Sequence, residues 1–327
     1  MKILLTGAAG GIGSTLGYYL FKKGHHLTLV DNLRNGYLEN LTINGDSFGK
    51  FYNLDIFNDD LIQDDYDCII HLAAITALPD CETNPVDTIN VNVAGVMKVL
   101  ECARKWNIPH VIFSSTSAVY ENNKEEVFTE DLDVNPRLWY SLSKKMAEEI
   151  CESYRINYGM NITTLRLFNV FGPRQDIHRK HPPLINYMVR EIKKGNSPML
   201  HSDGEQRRDY IHVDDVVKLV DLCLENKPND TLNVCTGVLL SVNEIVECVL
   251  EILGSDIKPK YREASKLWDA YPQLFADPNP LDKSIVSKET NKYSKGSYQR
   301  AKELLGWEPN TDTKSLIKKV ALELLEN

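Results

Sequence analysis

The 327-residue sequence lacks an apolar run that approaches the length of a membrane span, and it opens with a charged residue and a strand-like run instead of a secretion signal. It also lacks an excess of positive charge, since its net charge is −9. Nucleic-acid binding depends mainly on neutralising phosphates, so this chain would repel a nucleic-acid backbone. These absences predict a cytoplasmic protein that binds neither membranes nor nucleic acids, and local positive charge must meet any anionic ligand.

Cysteine is sparse and scattered along the chain. The seven cysteines are odd in number and include no C-x-x-C pair, so we expect neither a disulfide framework nor a metal site. Hydrophobic residues make up 43% of the chain, which can therefore bury a full core. This length suits a large domain with a smaller lobe.

The most informative stretch is a glycine-rich turn near the N terminus. A short apolar run at 2–6 leads into Gly7, Gly10 and Gly13, and apolar residues at helical spacing follow. The pattern predicts a strand, a turn and a helix that bind a dinucleotide, with Ile12 inside the site. Gly7 permits the tight turn, Gly10 lets a pyrophosphate approach bare backbone, and Gly13 lets the helix pack closely on the strand. A purely structural turn is the alternative.

An acidic residue ends the next apolar run. Asp31 follows residues 27–30, at about the 20-residue distance expected after such a turn. A carboxylate there can bind the adenosine ribose hydroxyls and would repel a 2′-phosphate, so NAD is favoured over NADP. Asn32 then opens an Asn- and Gly-rich segment, 32–49, which we expect to form a loop over the adenosine.

Strand-like and helix-like patterns alternate through the first half of the chain. This alternation predicts an α/β fold with a doubly wound parallel sheet of the Rossmann type. Ligands bind such sheets at the carboxyl ends of the strands. The strand-like runs recur at 51–54, 68–72 and 110–113, and the main helical pattern covers 86–106.

Residues that follow the predicted strands are candidate cofactor contacts. Asp55 could bind the adenine edge, or it could be a surface residue that starts a turn. Small residues at the end of the strand-like run 68–72 would let the backbone pass close to a cofactor, unless they only form a tight loop. Asn92 could cap or brace a neighbouring loop, or it could be an exposed helical residue. His71 is expected to be a buried histidine and not a base. The candidate contacts here are Asp55, Ile56, Leu72, Ala73, Ala74 and Asn92.

Two further segments carry groups suited to proton transfer. Ser114 and Thr116 lie in a hydroxyl-rich strand end, which would face the cofactor crevice unless it is only a turn. Tyr140 and Lys144 are four residues apart at the start of a predicted helix, so they share one face. A nearby ammonium favours the phenolate and lowers a phenol pKa from about 10 toward working pH. The spacing alone also arises by chance in many helices.

Together these residues resemble the extended short-chain dehydrogenase/reductases, in particular the NAD-dependent sugar-nucleotide epimerase/dehydratase family and its UDP-glucose 4-epimerase-like members. The resemblance covers nearly the whole chain. Its motifs are T-G-x-x-G-x-x-G at 6–13, the hydroxyl-bearing strand end at 114–116, Y-x-x-x-K at 140–144, the segments 166–175 and 204–216, and the C-terminal signature at 301–309.

The resemblance implies a domain organisation and a set of partners. Residues 1–168 with 209–236 would form the NAD-binding Rossmann domain around a seven-stranded sheet. Residues 169–208 with 237–327 would form a smaller lobe that binds a nucleoside diphosphate sugar. A homodimer is implied through the helices over 86–106 and 141–158.

The resemblance also implies residue roles. Tyr140 would be the acid/base, Lys144 its electrostatic partner and a ribose ligand, and Thr116 a hydrogen-bond donor to the reacting sugar oxygen. Ser114 would lie beside the cofactor. The implied substrate contacts are Asn169, Arg174, Arg208 and Arg262, of which arginines suit a pyrophosphate because their fork gives bidentate bonds. For Arg174, a surface cation is the alternative.

Departures from the family pattern bear on the reaction. Ser117 and Ala118 stand where dehydratases carry Asp-Glu and where decarboxylases carry a Glu two residues beyond the threonine. This favours epimerisation at C4; the alternatives are net oxidation or 4-keto reduction, 4,6-dehydration with a displaced acid, and a non-catalytic dinucleotide sensor. Glu121 replaces a common glycine, and the stretch 261–296 is unusually long and aromatic, which bears on Arg262 and the sugar pocket.

Overall fold

A computed structural model of the protein describes residues 1–176, 182–276, 278–285 and 292–326. The larger domain is built on a seven-stranded sheet in which every pair of neighbours is parallel. This confirms the predicted doubly wound α/β fold. From one edge to the other, its strands are β12 (Thr231–Val234), β8 (Ile162–Leu167), β7 (Val111–Thr116), β6 (Cys68–His71), β1 (Lys2–Thr6), β2 (His26–Asp31) and β5 (Lys50–Asn53).

Helices cover both faces of this sheet because its central strands are apolar on both sides. Ile3 and Leu5 of β1 pack toward α1 (Gly11–Lys22) and α7 (Val213–Asn226) on one face. Leu4 packs toward α4 (Gly95–Lys105) and α5 (Trp139–Tyr158) on the other face. A π-helical turn at Asn90–Ala94 divides the helical pattern predicted over 86–106. The helices of this domain are α1 (Gly11–Lys22), α2 (Leu78–Thr83), α3 (Pro85–Ile89), α4 (Gly95–Lys105), α5 (Trp139–Tyr158), α7 (Val213–Asn226) and α10 (Gln299–Leu305).

The segment 32–49 is more ordered than the predicted loop. It contains a 3-10 helix at Leu38–Leu41 and a hairpin of β3 (Thr42–Ile43) and β4 (Asp46–Ser47). Asn44 and Gly45 connect the two strands with φ values of 52° and 88°. An Asn-Gly pair with positive φ at both residues forms the tight turn that matches strand twist, which explains the hairpin.

The smaller lobe packs helices against short sheets. A three-stranded sheet has the order β13 (Leu239–Ser241), β11 (Arg207–His212) and β9 (Asn169–Phe171), and β10 (Met199–His201) pairs with β14 (Lys260–Arg262). None of the helices that the structure describes is both long enough and apolar enough to cross a bilayer. The helices of the lobe are α6 (Leu184–Lys193), α8 (Val242–Leu253), α9 (Gln273–Ala276) and α11 (Thr313–Glu326).

The C-terminal signature lies on the larger domain, although the sequence division placed it in the smaller lobe. Trp307 and Ala301 belong to the core cluster formed with α1 and α7. The Trp307 indole donates to the Asp215 carbonyl oxygen at 3.2 Å, and the Asn310 amide donates to the Asp215 carboxylate at 3.0 Å. A buried indole needs both apolar contact and an acceptor, and α7 supplies them. The chain therefore returns to the larger domain before α11 re-enters the lobe.

Candidate active site

Two adjoining cavities lie at the carboxyl edge of the large sheet. The first, the sheet-edge cavity, runs along the strand ends from the glycine turn to β7. The second, the lobe cavity, lies between the strand end at Thr116 and the smaller lobe. Thr116 and Tyr140 line both cavities, so they mark the place where ligands in the two cavities would meet.

The glycine turn forms the first wall of the sheet-edge cavity. Gly7 has a φ of 70°, and a Cβ there would lie 2.6 Å from the Ala73 amide nitrogen. A Cβ on Gly13 would lie 2.1 Å from the Gly7 carbonyl oxygen. Gly10 is the N-cap of α1 and offers no capping side chain, so the amides of the first turn face the cavity at the positive end of the helix. Gly7, Gly10, Ile12 and Gly13 all line this cavity, and the cradle fits a pyrophosphate.

Asp31 lies at the carboxyl end of β2, in the wall of the same cavity. Its carboxylate accepts from the Ala9 amide at 3.0 Å and the Leu33 amide at 2.8 Å, and burial raises its pKa. These bonds fix its position beside the adenosine end of the cavity. This placement suits a ribose diol and disfavours a 2′-phosphate, as predicted for NAD.

The next strand end supplies Asp55, Ile56 and Asn32 to the cavity. The Asn32 side-chain amide donates to the Asp55 carboxylate at 2.8 Å. The backbone amides of Phe57 and Asn58 donate to the same carboxylate. Although burial opposes it, these donors hold the pKa of Asp55 below its ordinary value. The predicted contacts Leu72, Ala73 and Ala74 also line the cavity.

Asn92 lies behind the cavity and not in its lining. Its buried side chain accepts from the Ile75 amide at 2.8 Å and donates to the Ile75 carbonyl at 2.9 Å and to Ser143 at 3.1 Å. Ile75 itself lines the cavity. As placed, Asn92 is buried and braces the loop that carries Ile75, so it has the bracing role considered for it and is not an exposed helical residue.

His71 is buried in β6, as expected. Its Nδ1 lies 2.7 Å from the Thr6 hydroxyl, and burial together with the Lys144 charge lowers its pKa to about 3. The imidazole is therefore neutral at physiological pH, and it lines neither cavity, so it is not placed to act as a base for the reaction.

The candidate reacting groups lie at the end of β7 and the start of α5. The Thr116 hydroxyl accepts from the Ala118 amide at 3.2 Å, which leaves its own proton available for donation. Lys144 is buried, and its Nζ donates to the Ser114 carbonyl oxygen at 2.8 Å. Burial lowers the pKa of Lys144 to about 8, so in most molecules the Lys144 amine is still protonated at pH 7. Tyr140 and Lys144 lie one helical turn apart and both line the sheet-edge cavity with Ser114.

The lobe cavity has basic and polar groups but no acids in its described lining. Asn169 and Arg208, two of the predicted substrate contacts, line it, and the Asn169 side-chain amide donates to the Asp209 carbonyl oxygen at 2.9 Å. Ser117 and Ala118 also line it, so the positions that hold acids in dehydratases and decarboxylases do face this space. Among the residues that the structure describes, none that lines the lobe cavity is Asp or Glu.

Two predicted substrate arginines lie outside both cavities. The Arg174 guanidinium donates to the Asn40 carbonyl at 3.1 Å and lies 5.8 Å from the centre of the Tyr18 ring. Arg262, at the end of β14, has its guanidinium 3.2 Å from His201 Nε2. As placed, neither side chain reaches a ligand in the cavities.

The unusual stretch 261–296 borders the lobe cavity. Trp268 and Tyr271 form a buried cluster with Leu138, and Leu78, which packs on this cluster, also lines the cavity. Residues 277 and 286–291 of the stretch lie outside the described residues.

Lining residues that the sequence reasoning missed include Thr76, Gln175 and Lys292. Thr76 lies two residues beyond Ala74, so extending the strand-end prediction slightly would have found it. Lys292 had no local signal, because it lies in the stretch without a matching family pattern. It adds a second cation beside Arg208 to the lining of the lobe cavity.

Known proteins are similar to this chain in both sequence and fold. A putative UDP-glucose 4-epimerase of Methanocaldococcus jannaschii is 32% identical over 97% of this chain and 96% of its own length. A Thermotoga maritima UDP-glucose 4-epimerase, solved with UDP-glucose, superposes with a TM-score of 0.85 at 30% identity, covering 100% of this chain and 99% of that one.

A UDP-N-acetylglucosamine 4-epimerase of Methanobrevibacter ruminantium, solved with UDP-N-acetylmuramic acid, has a TM-score of 0.87 at 28% identity, over 99% of this chain and 98% of that one. The model of the NAD dependent epimerase/dehydratase family matches residues 3–235, which span the glycine turn, Tyr140 and the last strand of the large sheet. The chain therefore belongs to the NAD dependent epimerase/dehydratase family and is an enzyme with NAD as its cofactor.

Proposed function

We propose that this enzyme is a nucleoside diphosphate sugar 4-epimerase that acts on a UDP-type sugar through a 4-keto intermediate. One observation carries the proposal: Thr116 and Tyr140 lie where the two cavities meet, while the described lining of the lobe cavity contains no carboxylate. Tyr140 can therefore serve one sugar oxygen, but no carboxylate in that described lining can supply the second acid/base that elimination needs. Relatives named as UDP-sugar 4-epimerases support the same assignment.

The residues divide the reaction between proton transfer and positioning. Tyr140 accepts the proton of the sugar 4-hydroxyl, and the Thr116 hydroxyl donates a hydrogen bond to the same oxygen. The buried Lys144 ammonium favours the phenolate form of Tyr140. Bound NAD supplies a reversible acceptor for the hydride of C4. After the 4-keto sugar presents its other face, C4 takes the same hydride back on that face while Tyr140 returns the proton to the 4-oxygen, so the opposite configuration results.

The diphosphate would bind on the side of the smaller lobe. Arg208 and Lys292 line the lobe cavity and provide the local positive charge that a chain with a net charge of −9 needs for an anionic substrate. Asn169 would contact the same diphosphate. Arg174 and Arg262 would join these contacts only by turning away from Tyr18 and His201.

The test is a panel of nucleotide sugars that carry deuterium at sugar C4. We expect at least one to give a product of unchanged mass with the label kept at C4, because hydride leaves and returns within one bound complex. Mass spectrometry and NMR identify the product, and absorbance at the NADH wavelength detects net oxidation.

The matched control for this assay is the Tyr140→Phe enzyme. A product lighter by one water or one carbon dioxide would contradict the proposal and favour dehydration or decarboxylation. Stoichiometric NADH release would favour a dehydrogenase instead, and tight NAD binding without any turnover would favour a sensor.

We further propose a homodimer formed through α4 and α5. Apolar side chains on these helices are exposed in the single chain, including Met97 at 47%, Ile156 at 73% and Tyr158 at 56%. Exposed apolar side chains grouped on neighbouring helices favour burial by a second subunit. Light scattering at micromolar concentration should give twice the chain mass of 37.2 kDa.

A double substitution tests the dimer surface. Met97→Glu with Ile156→Glu should give a monomeric mass, because two carboxylates would be buried there. Leu322→Glu, at an exposed apolar position on α11, is the matched control and should leave the mass unchanged. A monomeric wild-type enzyme would contradict this proposal.

We also propose a cytoplasmic location. All seven cysteines are free in the structure. Unpaired thiols are usual in a reducing compartment, whereas secreted proteins tend to use disulfides.

A further inference from the structure

The start of α5 is held by carboxylates from elsewhere in the chain. Leu138 is the N-cap of this helix, and its side chain cannot cap. Glu121 accepts from the Leu138 amide at 3.1 Å, from the Arg137 amide at 3.2 Å and from the Ser141 hydroxyl. Glu82 of α2 accepts from the Trp139 amide at 2.6 Å. Amides that have no partner within a helix are thus satisfied by two glutamates.

These bonds are made by the two residues on either side of Tyr140, the proposed acid/base. Tyr140 lies between Trp139, which is tied to Glu82, and Ser141, which is tied to Glu121. Glu121 also directly follows the 3-10 turn Ser117–Tyr120, whose N-cap is Thr116. One carboxylate therefore connects the element that carries Thr116 to the helix that carries Tyr140, and the backbone at the start of α5 cannot turn without breaking those bonds.

We infer that Glu121, assisted by Glu82, is a positioning residue that sets the place of the Tyr140 phenol relative to Thr116 and balances the positive end of α5 beside it. This inference rests on the proposed function, because it gives Glu121 a role through Tyr140. It also accounts for an acid at a position where the family commonly has glycine.

The charges around the start of α5 decide in which direction the pKa of Tyr140 is shifted. A helix N-terminus favours anions, so it favours the phenolate of a tyrosine in its first turn, and the Lys144 ammonium acts in the same sense. The Glu121 carboxylate opposes both. Burial, and then the Glu121 charge, raise the pKa of Glu82 to about 7, although the Trp139 amide opposes this shift, so Glu82 is only partly ionised near neutral pH.

Two substitutions of Glu121 separate its shape from its charge. Glu121→Ala removes the acceptor, and we expect kcat to fall about 10-fold to 100-fold, because a small misplacement of a reacting group has effects of that size. KM and bound NAD should stay near their wild-type values. Glu121→Gln keeps an acceptor oxygen but removes the charge, so it should recover most of kcat.

The pH dependence distinguishes positioning from simple structural support. Loss of the charge should lower the Tyr140 pKa, so in Glu121→Gln the acid limb of the kcat profile should move to lower pH by about half a unit. The Tyr140 pKa can also be read without any substrate, from the NMR shift of tyrosine labelled with ¹³C at the phenol carbon, assigned by its absence in Tyr140→Phe. Glu126→Ala, at an exposed glutamate of the same loop, is the matched control and should change neither quantity.

The outcomes are distinguishable. Wild-type kcat in a folded Glu121→Ala enzyme would overturn the inference, and so would an unmoved Tyr140 pKa in Glu121→Gln, including the case in which Glu121→Ala does not fold. If no nucleotide sugar is epimerised but the Tyr140 signal still shifts in Glu121→Gln, the proposed function fails while the coupling of Glu121 to Tyr140 stands.

Discussion

Tyr140→Phe is expected to lower turnover by about 10²-fold to 10⁴-fold, the range that proton transfer by a positioned side chain contributes. In the proposed mechanism the phenol supplies the proton transfer, whereas phenylalanine keeps the ring that lines both cavities. Binding of NAD and of the nucleotide sugar should therefore survive. Turnover measured at saturating sugar, together with NAD released from the denatured protein, tests both parts.

A second tyrosine on the same helix is the matched control. Tyr158 lies at the other end of α5 and is largely exposed, so Tyr158→Phe should leave kcat unchanged. Near-wild-type turnover in Tyr140→Phe would remove Tyr140 from the mechanism. Loss of NAD from that variant would instead mean that the phenol is a binding group.

Features of the site that depend on local backbone chemistry were predictable from the sequence. The turn at Gly7 requires a positive φ, and Gly13 requires close packing, so glycine is the residue type that fits both places. The pair Tyr140 and Lys144 was predictable because helical spacing places residues four apart on one face. Asp31 was predictable because the end of a strand is a fixed place in this fold.

Features that depend on contacts between distant segments were not predictable. The Glu82 carboxylate meets the Trp139 amide across 57 residues, and neither residue belongs to a periodic pattern. The packing of Trp307 on α7 was not predicted, because sequence order cannot tell on which surface a returning segment packs. Asn92 was assigned to the site but not to a single role, because an amide can serve a ligand or a loop equally well.

We expect the largest effect on the free energy of unfolding at a buried ion pair that lies behind β7, the strand that ends at Thr116. Arg166 and Glu148 are 7% and 9% exposed, and their side chains meet at 2.8 Å and 3.0 Å. Arg166 also donates to the Tyr120 hydroxyl at 2.7 Å, while Ser115, which precedes Thr116, donates to Glu148. Although burial opposes it, Glu148 raises the pKa of Arg166. The pair thus supports β7 from behind.

Arg166→Met should lower the free energy of unfolding at pH 7 by about 3–5 kcal/mol, because it leaves Glu148 buried without its partner. Urea denaturation measures this change. Adding Glu148→Leu should restore much of the loss, since replacing both members of a buried pair by apolar groups is often neutral. Recovery should be incomplete because Ser115 loses its acceptor. If Arg166→Met and Glu148→Leu, each made alone, lowered the free energy of unfolding by less than about 1 kcal/mol, the pair would not be a major support of β7.

The pH dependence of Arg166→Met identifies the unpaired carboxylate as the cause. Without the arginine, a buried carboxylate is left without its countercharge, and burial favours the neutral form of such a group over the form it has in an unfolded chain, where a glutamate titrates at about 4.3. A raised carboxylate pKa gives stability that is fully present below the unfolded pKa and is lost as pH rises through the folded one. The deficit of Arg166→Met relative to the double variant should therefore be small near pH 4 and reach its full size above the raised pKa. If the deficit were the same at every pH, the lost stability would come from packing around the guanidinium and not from a buried charge.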